Sequence, residues 1–143
     1  MSRKTPAVRD SLHGRVLVMD DEECIRDLVT LVLETRGAKV DTAVNGFEAV
    51  DLFKNAVIAD SRYDLVILDL SVPDGLGGVE TMTRLRDIDP DVNAILSSGF
   101  HYDQAVIHYR HYGFKGVLLK PYECAELLKI VGRLLVKSPA GSG

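Results

Sequence analysis

Five short strand-like runs recur along the chain, each followed by a helical pattern, and this alternation restricts the fold more than any other feature. RVLVM (15–19) is wholly apolar and precedes a stretch with Ile25, Leu28, Val29, Val32 and Leu33 on one face, ended by Gly37. AKVDTAV (38–44) alternates as a second strand, and Asn45 is placed to cap a helix carrying Phe47, Val50, Leu52 and Phe53. LVILD (65–69), NAILS (93–97) and GVLLK (116–120) supply the third to fifth strands. Helices are expected at about 78–87, 102–112 and 123–136, the last burying Leu127, Leu128, Val131, Leu134 and Leu135. Apolar strands alternating with helices make a parallel sheet covered on both faces, and the crossovers between them are right-handed. The expected fold is therefore α/β, a doubly wound five-stranded parallel sheet of order 2-1-3-4-5, whose ligands sit at the carboxyl ends of strands 1 and 3. The connection from about Ala56 to Tyr63 is long for this class.

With 143 residues, 46% hydrophobic and 27% charged, the chain is sized for one domain with a single core. A net charge of −4 without clustered Lys or Arg speaks against a nucleic-acid partner, because phosphate neutralisation needs grouped cations. Cys24 and Cys124 fall in apolar helical patterns without metal-ligand spacing and are expected as core fillers in a reduced, intracellular chain. No apolar stretch approaches the ~20 residues that span a bilayer, and the start lacks a signal-peptide core. A cytoplasmic domain over residues 15–136, without direct membrane contact and flanked by polar tails at 1–14 and 137–143, is the expectation.

The polar residues that interrupt the apolar runs carry the chemistry. Asp20 and Asp21 follow strand 1, Asp69 ends strand 3, Ser97 and Ser98 close strand 4, and Lys120 ends strand 5, so a parallel sheet brings them to one rim. His101, His108 and His111 lie near the helix after strand 4 and read as a solvated face. Carboxylates crowded around one crevice repel by roughly 4 kcal/mol per pair at ~4 Å and an effective dielectric of about 20. A small hard cation such as Mg²⁺ relieves this, and no soft ligand competes. One carboxylate can then attack phosphorus to give an aspartyl phosphate; it is ionised at neutral pH and needs no general base. Lys120 and a Ser hydroxyl supply charge stabilisation to the phosphoryl oxygens. Asp69 is the candidate nucleophile, because Gly75, Gly77 and Gly78 in the following loop let backbone N–H groups approach the phosphoryl group.

An acidic pair after strand 1 (Asp20-Asp21), a D-x-x-x-P-x-x-x-G loop (Asp69, Pro73, Gly77), a Ser ending strand 4 and Lys120-Pro121 after strand 5 together resemble the receiver domain of two-component response regulators. The resemblance covers about residues 15–136 and implies the flavodoxin-like receiver fold. It implies Asp69 as the phosphoacceptor, with Asp21, Asp69 and the Ser71 backbone carbonyl as direct Mg²⁺ ligands and Asp20 holding the ion mainly through water. Mn²⁺ is an alternative ion. Ser98, rather than Ser97, resembles the switch hydroxyl, with small Gly99 after it, and Lys120-Pro121 is expected to be a cis peptide. The implied partners are a histidine kinase or phosphotransfer domain as phosphohistidine donor, and a second copy through the fourth helix, fifth strand and last helix. DLSVPDGLGG, ILSSGF and HYGFKGVLLKPY most resemble receivers attached to hybrid sensor histidine kinases, which adds a membrane-anchored hybrid kinase as a context.

The family often has a Tyr or Phe three residues before the lysine; here that place is Val117, with Phe100, Tyr102, Tyr109 and Tyr112 as nearby aromatics. A haloacid dehalogenase-like phosphohydrolase is the enzymatic alternative, but its second aspartate, two residues after the nucleophile, is replaced by Ser71. The other alternative is a degenerate receiver acting only as a binding module. A nucleotide site is disfavoured because DDEE, not a glycine-rich loop, follows strand 1.

Overall fold

The computed structural model describes residues 11–73 and 75–135. Five parallel strands, β1 (Arg15–Met19), β2 (Lys39–Ala43), β3 (Leu65–Asp69), β4 (Ala94–Ser98) and β5 (Gly116–Leu119), form one sheet in the order β2-β1-β3-β4-β5. They alternate with α1 (Glu23–Thr35), α2 (Gly46–Ile58), α3 (Gly78–Ile88), α4 (Gln104–Ile107) and α5 (Cys124–Leu135); a 3₁₀ turn, Tyr109–Tyr112, follows α4. This is the expected doubly wound fold.

Apart from the largely exposed edge strand β2, the strands read as continuous apolar runs because alternate side chains enter two different cores. Leu17, Met19, Val66, Leu68 and Leu96 face Phe53 of α2 and Met82 and Leu85 of α3. Val16, Val18, Leu65, Ile67, Ile95 and Leu118 face Val29 and Leu33 of α1 and Leu127 and Val131 of α5. Leu12, inside the segment set aside as a tail, is buried in this second core and its N–H donates to Arg36 O at 2.7 Å. Residues 1–10 and 136–143, the rest of the expected tails and the last residue of the expected domain, lie outside the described residues.

Several local expectations change. Both cysteines are exposed: Cys24 lies off the stripe that carries Val29 and Leu33 in α1, and Cys124, although on the face of Leu127 and Val131, is the first residue of α5. Phe47 is likewise exposed: the buried stripe of α2 runs through Gly46, Ala49, Phe53 and Ala56, and the ring lies under the Arg84 guanidinium at 5.6 Å. In α5, Leu128 and Leu134 are only partly buried. The helix expected over 102–112 is a single α-turn capped by Asp103, whose side chain accepts from Ala105 N–H at 2.9 Å, followed by the 3₁₀ turn that ends at left-handed Gly113.

The connection after α2 is shorter than expected, since that helix runs to Ile58. Its end is a Schellman motif: Ser61 N–H donates to Ala56 O at 2.8 Å and Asp60 N–H to Val57 O at 3.1 Å, with Asp60 left-handed at φ 58°. Glycine takes that conformation without the steric cost an aspartate meets. Asp60→Gly is therefore expected to raise stability by roughly 0.5–1 kcal/mol, seen as a higher urea midpoint at unchanged slope. A lower midpoint would mean that the glycine's unfolded-state entropy dominates.

Candidate functional site

The carboxyl ends of the strands form one rim, and the polar residues that close the apolar runs meet there. Asp20 leaves β1 with its N–H on Ala43 O at 3.0 Å, Asp69 ends β3, Ser98 ends β4, and Lys120 leaves β5 with its N–H on Ser98 O at 2.9 Å. Strand register places Asp69 beside Ser97 and Ser98 beside Leu119. One carboxylate oxygen each from Asp20, Asp21 and Asp69 lies within 4.8 Å of the others. Asp20 and Asp69 are buried, at 1% and 3% exposure, whereas Asp21 faces solvent.

Lys120 balances these charges. Its Nζ lies 2.9 Å from Asp20 Oδ2, 3.3 Å from Asp69 Oδ2 and 3.4 Å from Glu22 Oε1. Burial alone would lower the lysine pKa, but the bond and charge of Asp20 and the charge of Asp69 outweigh it and raise the pKa well above the ordinary lysine range. Asp20 Oδ1 accepts from the Glu22 N–H at 2.9 Å; Oδ2 is buried and, although ion-paired, has no well-directed hydrogen bond. All-oxygen donors, three clustered carboxylates and one buried oxygen short of a hydrogen bond fit a small hard dication.

Burial, and then the charge of Asp20, raise the Asp69 carboxyl from its ordinary 3.8 to about 6, against Lys120 and the Ser71 N–H, which lower it. The folded chain thus holds this proton more tightly than the unfolded one. That contribution to stability is complete below the ordinary value and lost as pH rises through about 6. In EDTA, Asp69→Asn is expected to be the more stable protein at about pH 8, by on the order of 2 kcal/mol, with the advantage fading toward about pH 4. Thermal melts of both proteins across that range check this; a pH-independent difference would contradict it.

The loop glycines have a packing reason. A Cβ on Gly77 would stand 2.5 Å from Leu70 O and one on Gly78 2.8 Å from Asp69 O, so the start of α3 lies directly against the backbone that carries Asp69. Gly78 N–H donates to Leu70 O at 3.2 Å across this approach.

Lys120-Pro121 is cis, as the resemblance implied. The Ser98 hydroxyl is buried and accepts from the Phe100 N–H at 2.8 Å. Ser71 is represented at the site by its N–H on the Asp69 carboxylate. Two residues not singled out from sequence border the group. Glu22 directly follows the acidic pair, and its carboxylate reaches Lys120. Tyr122, two positions after Lys120, shares a hydrogen bond with Ser97 Oγ. The signal available for each was adjacency to a site residue. Among the aromatics named from sequence, Phe100 and Tyr102 are exposed, while Tyr109 and Tyr112 pack partly buried on the first core. His101, His108 and His111 are exposed.

The family model described as response regulator receiver domain matches residues 16–132. Among curated proteins, the chain is similar to sporulation initiation phosphotransferase F of Bacillus subtilis, 27% identical over 124 residues, covering 87% of this chain and 95% of that protein. It is also similar to the transcriptional regulatory protein PrrA of Mycobacterium leprae, 36% identical over 122 residues, covering 85% of this chain and 49% of that protein. The chain thus spans nearly all of the first relative and about half the length of the second. Among solved structures, the CheX-CheY-BeF3-Mg complex of Borrelia burgdorferi aligns with a TM-score of 0.77 at 28% identity, covering 86% of this chain and 90% of that one.

Proposed function

Because the chain belongs to the response regulator receiver domain family, we propose that it accepts a phosphoryl group from a phosphohistidine onto Asp69 and changes its partner-binding surface in response. The observation that carries this is a buried carboxylate at the end of β3, 3.3 Å from the Lys120 ammonium and clustered with Asp20 and Asp21. An Asp69 oxygen attacks phosphorus in line, the phosphorus–nitrogen bond of the donor breaks, and its electron pair returns to the imidazole. Lys120 transfers its ion pairing to a phosphoryl oxygen, and the Ser98 hydroxyl gives up the Phe100 N–H to donate to another. Asp21, Asp69 and the Ser71 carbonyl would hold Mg²⁺ directly and Asp20 through water, Mn²⁺ being the alternative. When bound, the ion supplies positive charge that offsets the carboxylates and the phosphoryl oxygens.

Receiver domains act with histidine kinases or phosphotransfer proteins, and one of these is the donor in this reading. The phrases that resemble hybrid-kinase receivers support attachment to such a kinase, whereas relatives such as PrrA are transcriptional regulators. A cytoplasmic placement accords with either. No helix among the described residues is long and apolar enough to cross a membrane. The exposed Phe100, Tyr102, Ile107 and Leu119, on or beside α4 and β5, support a second copy as partner through α4, β5 and α5. The 3% exposure of Asp69 favours one competing reading, a blocked receiver that only binds. Intact mass after incubation with acetyl phosphate and Mg²⁺ separates the two. One phosphoryl adduct, absent in EDTA, supports acceptance; no adduct on a folded, Mg²⁺-binding chain supports the blocked module.

A further inference from the structure

Position 117 raises the question of how acceptance at the rim reaches a helix. Val117 is half-buried beside Leu96, packed on the first core, and its aliphatic side chain has no polar tip. The four aromatics around α4 are either exposed or seated on that same first core. Among the described residues, Tyr122 is the aromatic that hydrogen-bonds β4, through Ser97 Oγ.

The placement of that bond is informative. Ser97 is the register partner of Asp69 and the immediate neighbour of Ser98, so any shift of the end of β4 moves both serines. Alternation along the strand sends Ser97 to the face of Ile95, toward the second core, where α1 and α5 pack. The Tyr122 ring packs on that core from a position two residues after Lys120 and two before α5 begins. Burial, opposed by the Ser97 bond and reinforced by the Asp20 charge, pushes the Tyr122 hydroxyl up to about 12, so it remains a protonated hydrogen-bonding group at neutral pH.

We infer that the Ser97–Tyr122 hydroxyl pair is the positioning link that carries the engagement of Ser98 at the rim to α5, in place of an aromatic side chain at position 117. This rests on the reading of Asp69 as acceptor and Ser98 as the hydroxyl that engages the phosphoryl group. When Ser98 leaves the Phe100 N–H, the end of β4 shifts. Ser97 moves with it, and its bond to Tyr122 displaces the 121–124 segment and the first turn of α5.

The test compares amide hydrogen exchange in α5 with and without acetyl phosphate and Mg²⁺, in the native chain, Tyr122→Phe, Ser97→Ala and the double variant. Intact mass is read on each sample. Tyr122→Phe keeps the ring in the core, and Ser97→Ala is a second, independent way to remove the bond. The native chain should gain an adduct and change its α5 exchange rates by about five-fold or more. Each single variant should still gain the adduct with α5 rates within about two-fold of the untreated protein, and the double variant should lose no more than either single one. Adducts on both single variants with a native α5 response would overturn the link. An unmodified native chain would overturn the acceptor reading and this inference with it, and the mass record distinguishes that failure from the first.

Discussion

Incubated with acetyl phosphate and Mg²⁺, Asp69→Asn is expected to remain at its unmodified mass while the native chain is expected to gain one phosphoryl group. The substitution preserves size and shape but exchanges an anionic oxygen pair for an amide whose lone pair is delocalised and whose oxygen is a poor nucleophile. Because Asp20 and Asp21 are each within reach of the same crevice, the experiment also asks whether a neighbouring carboxylate can take over. Asp20 is held by Lys120 on one oxygen and the Glu22 N–H on the other, and Asp21 lies at the solvent side. Neither has the position of Asp69, at the strand end and against the loop backbone. Loss of at least about a thousand-fold in adduct formation is expected, as for other groups that must form the covalent bond. An adduct on Asp69→Asn at a comparable rate would remove Asp69 from the role of acceptor. The same variant should be the more stable protein in EDTA above about pH 6, and a thermal melt in the labelling buffer separates loss of the adduct from unfolding.

Lys120→Met is the second large effect, and it acts in two ways. The ammonium is ion-paired with the carboxylates of both Asp20 and Asp69, with 17% of the lysine side chain exposed against 1% and 5% for its partners. Removing it leaves two buried carboxylates facing each other, a loss on the order of 3 kcal/mol when one partner of a buried pair is deleted. It also removes a preplaced positive charge from the phosphoryl oxygens, which costs about 10²–10³-fold in rate at comparable sites. Mg²⁺ separates the two. The ion should restore much of the stability lost in EDTA, because it offsets the same carboxylates, but leave acetyl-phosphate labelling slow. Labelling within about five-fold of native would show that Lys120 serves charge balance alone. The proposed exchange of partners, from Asp69 to phosphoryl oxygen, would then be wrong.

Much of this architecture is legible in order and spacing. LVILD ends on an aspartate where β3, buried along its whole length, reaches the rim of the sheet, and strand ends likewise place Asp20, Ser98 and Lys120. The alternation of apolar runs with helices leaves few parallel topologies, and the observed strand order is the one expected. Exposure was less legible. Cys24 and Phe47 sit in windows rich in apolar residues, but which side of a helix is buried depends on the direction from which the sheet meets it; Cys124 shares the buried face of α5 yet is exposed at the helix's first position. The glycines at 77 and 78 read as permission for a ligand to approach, whereas here they allow α3 to start against the carbonyls of residues 69 and 70.

The sequence by itself determined the class of fold, the single rim and the chemical types gathered there, because period and strand ends are local properties of the chain. Tertiary structure decided which of those groups touch. Lys120 and Glu22 are 98 positions apart in sequence and Ser97 and Tyr122 25 apart, so their contacts arise only when β1, β4 and β5 take their places in one sheet. The raised Asp69 carboxyl is a tertiary property for the same reason: it comes from burial and from Asp20 just after β1, neither of which a local window contains.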